Sequence, residues 1–308
     1  MCSQASGMGQ RSGLPRTRCA TAVLCAASAA SAATYAQSPA ALPDYLRDRG
    51  AGVPTSRPGT YVGAGEWLAE PYLTYSSNKD FEYDPTDLGF PSAQASLKGN
   101  YHATEARLFA AYGLSDRVAL ELDAGAIDAS LKKAPEDLSG MPPKLSESGL
   151  GQIRARISWQ WMVESEHRPE LFSYAEVVVP HDTRQSLTGT SDWVFNGGLG
   201  VIRGFRWGTM TARIGLEYDT ASQSQIDFHY YAIEYQRRVS PHFSLFLGYV
   251  VFEGDEAYIE TELLWALNPN VVIRLGNRLG VVSSALSATS NSAEYIPTLG
   301  VIIRFPGH

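Results

Sequence analysis

The sequence predicts an all-β fold, a 12-stranded antiparallel transmembrane β-barrel with short periplasmic turns and longer outer loops. Three observations predict it: two-residue alternation of apolar and polar side chains through most of residues 66–305, connections that alternate between short and long, and aromatic residues gathered at the ends of the apolar face. Hydrophobic residues make up 44% of the 308, too many for a disordered chain. Mean hydropathy is −0.16, and no apolar run is long enough for a membrane-crossing helix. A net charge of −7, from 32 acids and 25 bases, gives no basic footprint, so no nucleic-acid partner is expected.

Residues 1–36 read as a cleaved signal peptide. Arg11, Arg16 and Arg18 precede an alanine-rich stretch from Cys19 to Ala33, and no acid occurs before Asp44. Ala30-Ser31-Ala32 and Thr34-Tyr35-Ala36 are the competing cleavage sites. All three cysteines, Cys2, Cys19 and Cys25, lie in this segment, so the mature chain would have no disulfide or thiolate metal site and a charge of −10. Residues 37–65 carry Pro39, Pro43, Pro54, Pro58 and five glycines, the composition of a periplasmic linker in which only 40–49 could hold a short helix. The barrel is assigned to 66–308.

Twelve strands are expected near 66–76, 101–113, 117–130, 149–163, 171–180, 192–204, 208–219, 225–239, 243–253, 256–267, 271–283 and 293–305. In 209–219, Met210, Ala212, Ile214, Leu216 and Tyr218 oppose Thr209, Thr211, Arg213, Gly215, Glu217 and Asp219 without exception. The segments 153–161 and 257–267 alternate almost as strictly, whereas His229-Tyr230-Tyr231 breaks the rhythm and suggests a bulge. Leu114-Ser115-Asp116, Glu164 to Glu170, Phe205-Arg206-Trp207, Ser240-Pro241-His242 and Asn268-Pro269-Asn270 make one trimmed end. Connections near 77–100, 131–148 and 181–191 decorate the other.

Alternation alone does not say which face is outside. The aromatics decide for lipid: Trp67, Tyr112, Trp159, Trp161, Phe243, Trp265 and Phe305 near the trimmed end, and Tyr75, Trp193, Tyr218 and Tyr295 near the other, as two interfacial bands. The closing pattern Tyr295, Leu299, Val301, Ile303 and Phe305 resembles the terminal signal read by the outer-membrane assembly machinery, here followed by Pro306-Gly307-His308. Bacterial outer membrane is the expected location, with its lipid as a partner.

Tyr112-Gly113-Leu114-Ser115-Asp116-Arg117-Val118, Ser148-Gly149-Leu150-Gly151-Gln152, Val178-Val179-Pro180 and Gly189-Thr190-Ser191-Asp192 together resemble bacterial outer-membrane β-barrel proteins of the meta-pathway phenol degradation transporter family. The likeness covers roughly 105–220, with Gln152 where that family has Asp and His181-Asp182 where a Gly-containing turn is common. It implies a channel or transporter for a small molecule.

With the apolar parity toward lipid, the opposite parity lines the lumen: Glu70, Tyr72, Glu105, Arg107, Glu121, Asp123, Arg154, Arg156, Tyr174, Glu176, Arg213, Glu217, Tyr258, Glu260, Glu262, Arg274 and Arg278, with Glu66 and Arg304 at its edge. Two readings fit. The charges pair across the ladder and fill a narrow bore, or an arginine ladder binds an anionic solute such as an aromatic carboxylate, with Tyr72, Tyr174 and Tyr258 offering stacking faces. Inward glycines such as Gly198, Gly200 and Gly215 leave solute space or relieve strain.

No catalytic motif or metal spacing occurs, and no cofactor is expected; His242-Phe243-Ser244 sits at a trimmed turn, away from where a barrel lipid hydrolase works. The expected function is passive, selective passage of a small solute, aromatic or anionic. The alternative is a non-conducting structural or adhesive barrel acting through its outer loops, with 77–100 as a candidate binding loop.

Overall fold

The structure is a computed structural model that describes residues 43, 45–94, 97–181, 187–189, 192–220, 226–252, 256–282 and 294–307. The proposed export signal lies outside the described residues. A two-stranded hairpin, β1 (Val53–Pro54) and β2 (Tyr61–Val62), precedes thirteen long strands: β3 (Trp67–Tyr83), β4 (Leu97–Ser115), β5 (Val118–Lys132), β6 (Lys144–Leu150), β7 (Ile153–Met162), β8 (Glu170–Val179), β9 (Val194–Phe205), β10 (Gly208–Asp219), β11 (Ile226–Arg238), β12 (Phe243–Phe252), β13 (Glu256–Asn268), β14 (Val271–Val282) and β15 (Glu294–Phe305). All pairings between these strands are antiparallel, and β15 returns to β3 to close the ring. Both β6 and β7 pair with β5, on either side of a break at Gly151-Gln152. They are two halves of one wall strand, so the barrel has twelve wall positions.

The long outer loops are shorter than the alternation suggested. Strands β3 and β4 run on to Tyr83 and Leu97, and β6 begins at Lys144, because the hydrogen-bonded ladder continues where the apolar signal ends. Outward positions Ser77, His102, Asp128 and Ser148 are polar there, so period 2 no longer marks a buried face. Above them Tyr83, Leu97, Leu131, Ala134 and Met141 form a small apolar core, with Leu88 and Phe90 packed against it. Tyr83 Oη donates to Asp137 at 2.8 Å and accepts from the Ala134 N–H at 2.9 Å, tying the 133–143 loop to the β3 end.

Exposure settles the orientation. Leu73, Leu108 and Leu199 are 50%, 52% and 60% exposed, while Glu70 and Arg274 are 0% exposed, so the apolar parity faces outward and the charged parity inward. The register of β11 slips at His229, where Gly215 pairs with Tyr230 and Leu216 with Phe228. Inner turns are fixed locally: Asn268 Oδ1 accepts the Asn270 N–H at 2.9 Å, and Ser240 Oγ accepts the Phe243 N–H at 3.1 Å.

Residues 45–65, by composition a linker, pack against the inner wall at the trimmed end. Of the segment 40–49 in which a short helix was allowed, residues 45–49 form a turn, closed by Gly50 N–H on the Leu46 carbonyl at 2.7 Å. Val53 and Val62 are fully buried with Leu68, Phe109, Ala111, Ala119, Leu264 and Ile302 from the wall. Each such burial contributes roughly 1.5–3 kcal/mol. The backbone of this segment touches the wall at glycines: a Cβ on Gly113 would lie 1.9 Å from the Gly63 carbonyl oxygen, and one on Gly204 would lie 2.0 Å from that of Tyr45. Gly113→Ala and Gly204→Ala are therefore expected to unseat the hairpin and open Arg57 to trypsin, while Gly197→Ala, whose nearest neighbour would be 3.8 Å away, leaves the digest unchanged.

The β15–β3 seam is the least continuous ladder in the wall. Partners run from Glu294 and Tyr295 to Thr298–Gly300 and then Ile303–Phe305, with interruptions beside Pro297 on β15 and Pro71 on β3. Proline has no N–H to give a neighbour.

Candidate functional site: the lumen and its arginine–carboxylate network

Period 2 sends every second residue of each wall strand inward, and closure brings these side chains together. At the trimmed end, Arg274 Nε lies 2.8 Å from Glu70 Oε1, and its Nη1 contacts Glu262 and donates to the Pro58 carbonyl at 2.9 Å. From the hairpin, Arg57 adds a second bond to Glu70 at 2.9 Å and lies over the Tyr72 ring at 4.2 Å. Higher up, Arg107 bonds Glu105 at 2.8 Å and Asp123 at 2.9 Å, and Tyr72 Oη donates to Asp123 at 2.7 Å. Across β7 and β8, Arg156 pairs with Glu176 at 2.9 Å and covers Tyr174 at 4.1 Å. Arg213 meets Glu234 at 3.2 Å, and Arg278 pairs with Glu260 beside Tyr258, whose hydroxyl donates to Glu294 at 2.8 Å. Glu121 accepts from the Ser56 N–H at 2.9 Å, from the Ser56 hydroxyl, and from Ser158 Oγ at 3.0 Å. Glu217 is half-buried on the inward side of β10, nearer the outer end. Arg154 bonds the Gln152 side-chain oxygen at 3.1 Å through Nε and has no carboxylate partner among the described residues.

Two parts of the sequence reading change on this geometry. One face of each of Tyr72, Tyr174 and Tyr258 is taken by Arg57, Arg156 and Arg278, which leaves a solute at most the other face to stack on. Gly198 and Gly215 do not leave solute space: a Cβ at either would fall 2.4 or 2.5 Å from Tyr174 Oη, because the tyrosine lies flat along them.

Several network members escaped the sequence. Arg49 binds Glu164 at 3.1 Å and Glu170 at 2.6 Å, all three buried at the trimmed rim. Burial opposes the Arg49 charge, but Tyr61, Glu170 and Glu164 outweigh it and hold its pKa above the ordinary arginine value. Arg49 and Arg57 were hidden in a segment read as linker, and Glu234 in the strand with the slipped register. A signal was present: Leu68, Phe109, Leu264 and Ile302 are apolar residues on the charged parity, which implies an apolar partner inside.

A cavity of about 320 Å³ lies above the hairpin, floored by Ser56, Arg57 and Pro58 and bounded by inward residues from most of the wall strands, Tyr230 and Phe252 among them. A second, of about 260 Å³, lies beside the β6–β7 break and shares Glu105, Arg107 and Arg154 with the first. Among the described residues no group of His, Cys, Asp and Glu converges as a metal site. His242 sits in an inner turn with Nδ1 3.1 Å from the Ala266 carbonyl oxygen.

Outside, Trp67 lies tilted against Tyr112 at 4.6 Å, Trp159 stacks on Trp161 at 4.7 Å and Phe243 on Trp265 at 5.9 Å, and Phe305 pairs with Trp67 in register. Toward the outer end Trp193 lies 6.3 Å from Phe195. These rings form exposed patches at two levels of the apolar face.

No family description matches the sequence, and no curated protein is significantly similar to it. Solved structures are similar in fold. An outer membrane channel from Pseudomonas putida F1 superposes with a TM-score of 0.58 at 13% identity, covering 82% of this chain and all of that one. The fold is that of an outer-membrane β-barrel. The KdgM porin, at a TM-score of 0.44 and 9% identity over 76% of this chain and 99% of its own, is a looser likeness.

Proposed function

We propose that the protein is a passive, solute-selective channel of the bacterial outer membrane, carrying a small anionic or aromatic compound and having no catalytic residues of its own. The observation that carries this is the cavity of about 320 Å³ left above the hairpin in a closed barrel, ringed by fixed charges and aromatic side chains. A bore of this kind selects by size and charge rather than admitting bulk solute. Residues 1–36 are its cleaved export signal, outer-membrane lipid contacts the aromatic bands, and the β15 pattern ending in Phe305 addresses it to the assembly machinery. The resemblance to phenol-degradation transporters supports the same assignment.

A second reading is favoured by the buried hairpin and the paired arginines, which together occupy the trimmed end. It makes the protein a non-conducting barrel that acts through its outer loops. Conductance in planar bilayers separates the two. Discrete openings from detergent-purified, heat-modifiable protein are expected; a barrel that inserts and never conducts would establish the second reading.

A further inference from the structure

We propose that Arg154 is the seat of a small organic carboxylate inside the lumen. This rests on the channel reading and narrows its solute class from a ladder of arginines to one residue.

Arg49, Arg57, Arg107, Arg156, Arg213, Arg274, Arg278 and Arg304 each hold a carboxylate. A solute carboxylate at any of them must displace an ion pair that already exists. Arg154 faces Asp123 in register on β5, yet Asp123 is taken by Arg107 and Tyr72, and the nearby Glu176 is taken by Arg156. Among the described residues the Arg154 guanidinium has only the Gln152 side-chain oxygen, reached through Nε and Nη2. Of five N–H groups three remain, enough for a forked bond to a carboxylate.

Position favours the same conclusion. The wall breaks at Gly151-Gln152, just before Arg154, and the absent side chain at Gly151 leaves room there. Arg154 is exposed and stands where the two cavities meet. The smaller cavity adds Ile127 and Leu187, an apolar surface for the body of a solute whose head is at the arginine. Gln152 bonds the guanidinium from the same strand face and fixes its direction.

The test is binding of benzoate, with benzamide as the uncharged isostere, to the detergent-purified full chain by isothermal titration and saturation-transfer NMR. Benzoate is expected to bind the wild type and to lose about tenfold in affinity in Arg154→Gln, with benzamide equally weak in both. Arg154→Lys keeps the charge without the fork and should fall between them; it also carries the test if the Gln variant fails the heat-modifiability check for folding. Equal benzoate affinity in wild type and variants, or no benzoate binding to wild type, would overturn the seat. Conductance of the same preparations is read separately. A conducting wild type that ignores benzoate overturns the seat alone, and a wild type that binds benzoate but never conducts overturns the channel reading alone.

Discussion

Deleting residues 45–62 is expected to raise the single-channel conductance of the inserted barrel by about fivefold or more. Twelve strands about 4.8 Å apart and tilted about 40° give a backbone ring of radius about 12 Å, of which inward side chains take roughly half. The hairpin fills much of the remainder at the trimmed end, where Val53 and Val62 contact Leu68, Phe109 and Ile302. The deletion strands Glu70, Glu164 and Glu170 with less compensation, so a second variant is needed. Val62→Asp keeps every arginine and carboxylate of the network in the chain and places a further carboxylate in the apolar contact, which should release the hairpin without altering any wall residue. Conductance that stays at the wild-type value in both variants would show that ions do not pass on the hairpin side of the bore.

The largest loss of stability is expected from Arg274→Ala. Arg274 and Glu70 are fully buried, and removing the guanidinium leaves Glu70 with Arg57 alone and Glu262 without its partner. Stranding buried charge costs about 3–5 kcal/mol. The temperature at which the folded band converts to the unfolded one in heat-modifiability gels should fall well below that of wild type. Adding Glu262→Gln to the same chain should recover part of the loss, because it removes one uncompensated charge. Arg203→Ala is the contrast: Arg203 is partly exposed, lies 3.7 Å from Glu164, which keeps Arg49, and otherwise bonds the Ser165 and Glu166 carbonyls, so its loss should cost less, about 1–2 kcal/mol. A variant at Arg274 as stable as that at Arg203 would mean that water reaches Glu70.

The fold was legible because a two-residue period is a direct consequence of strand geometry, and a one-residue error in β10 alone would have turned Ala212, Ile214 and Leu216 inward all at once. That is why the strands from Gly208 to Phe305 fall within about two residues of expectation. Legibility failed where the period carries no apolar contrast, as at Ser77 and Ser148 in the outer extensions, and at Gly151-Gln152, where the expected strand 149–163 ran across the break and most of β6 was expected as loop. The lumen residues could be named from parity, but their pairing could not. Which carboxylate an arginine takes depends on a hairpin whose sequence, rich in Pro and Gly, resembles a tether. Arg57 competes for Glu70, and the Thr55, Pro58 and Tyr61 carbonyls draw Arg213, Arg274 and Arg304 toward the hairpin.

The seam between β15 and β3 gives the hairpin a second role. Arg304 on the last strand donates to the Tyr61 carbonyl at 2.9 Å and pairs with Glu66 at 2.9 Å, while the Gly65 N–H bonds to Gly113 on β4 at 2.7 Å. The segment that leads out of the bore thus grips the strands on both sides of the joint where prolines thin the ladder. It can take hold only after the chain's two ends have met. The hairpin is a clasp as well as a plug: its seating is the step that locks the circle, and a barrel caught half-assembled would leave it hanging free.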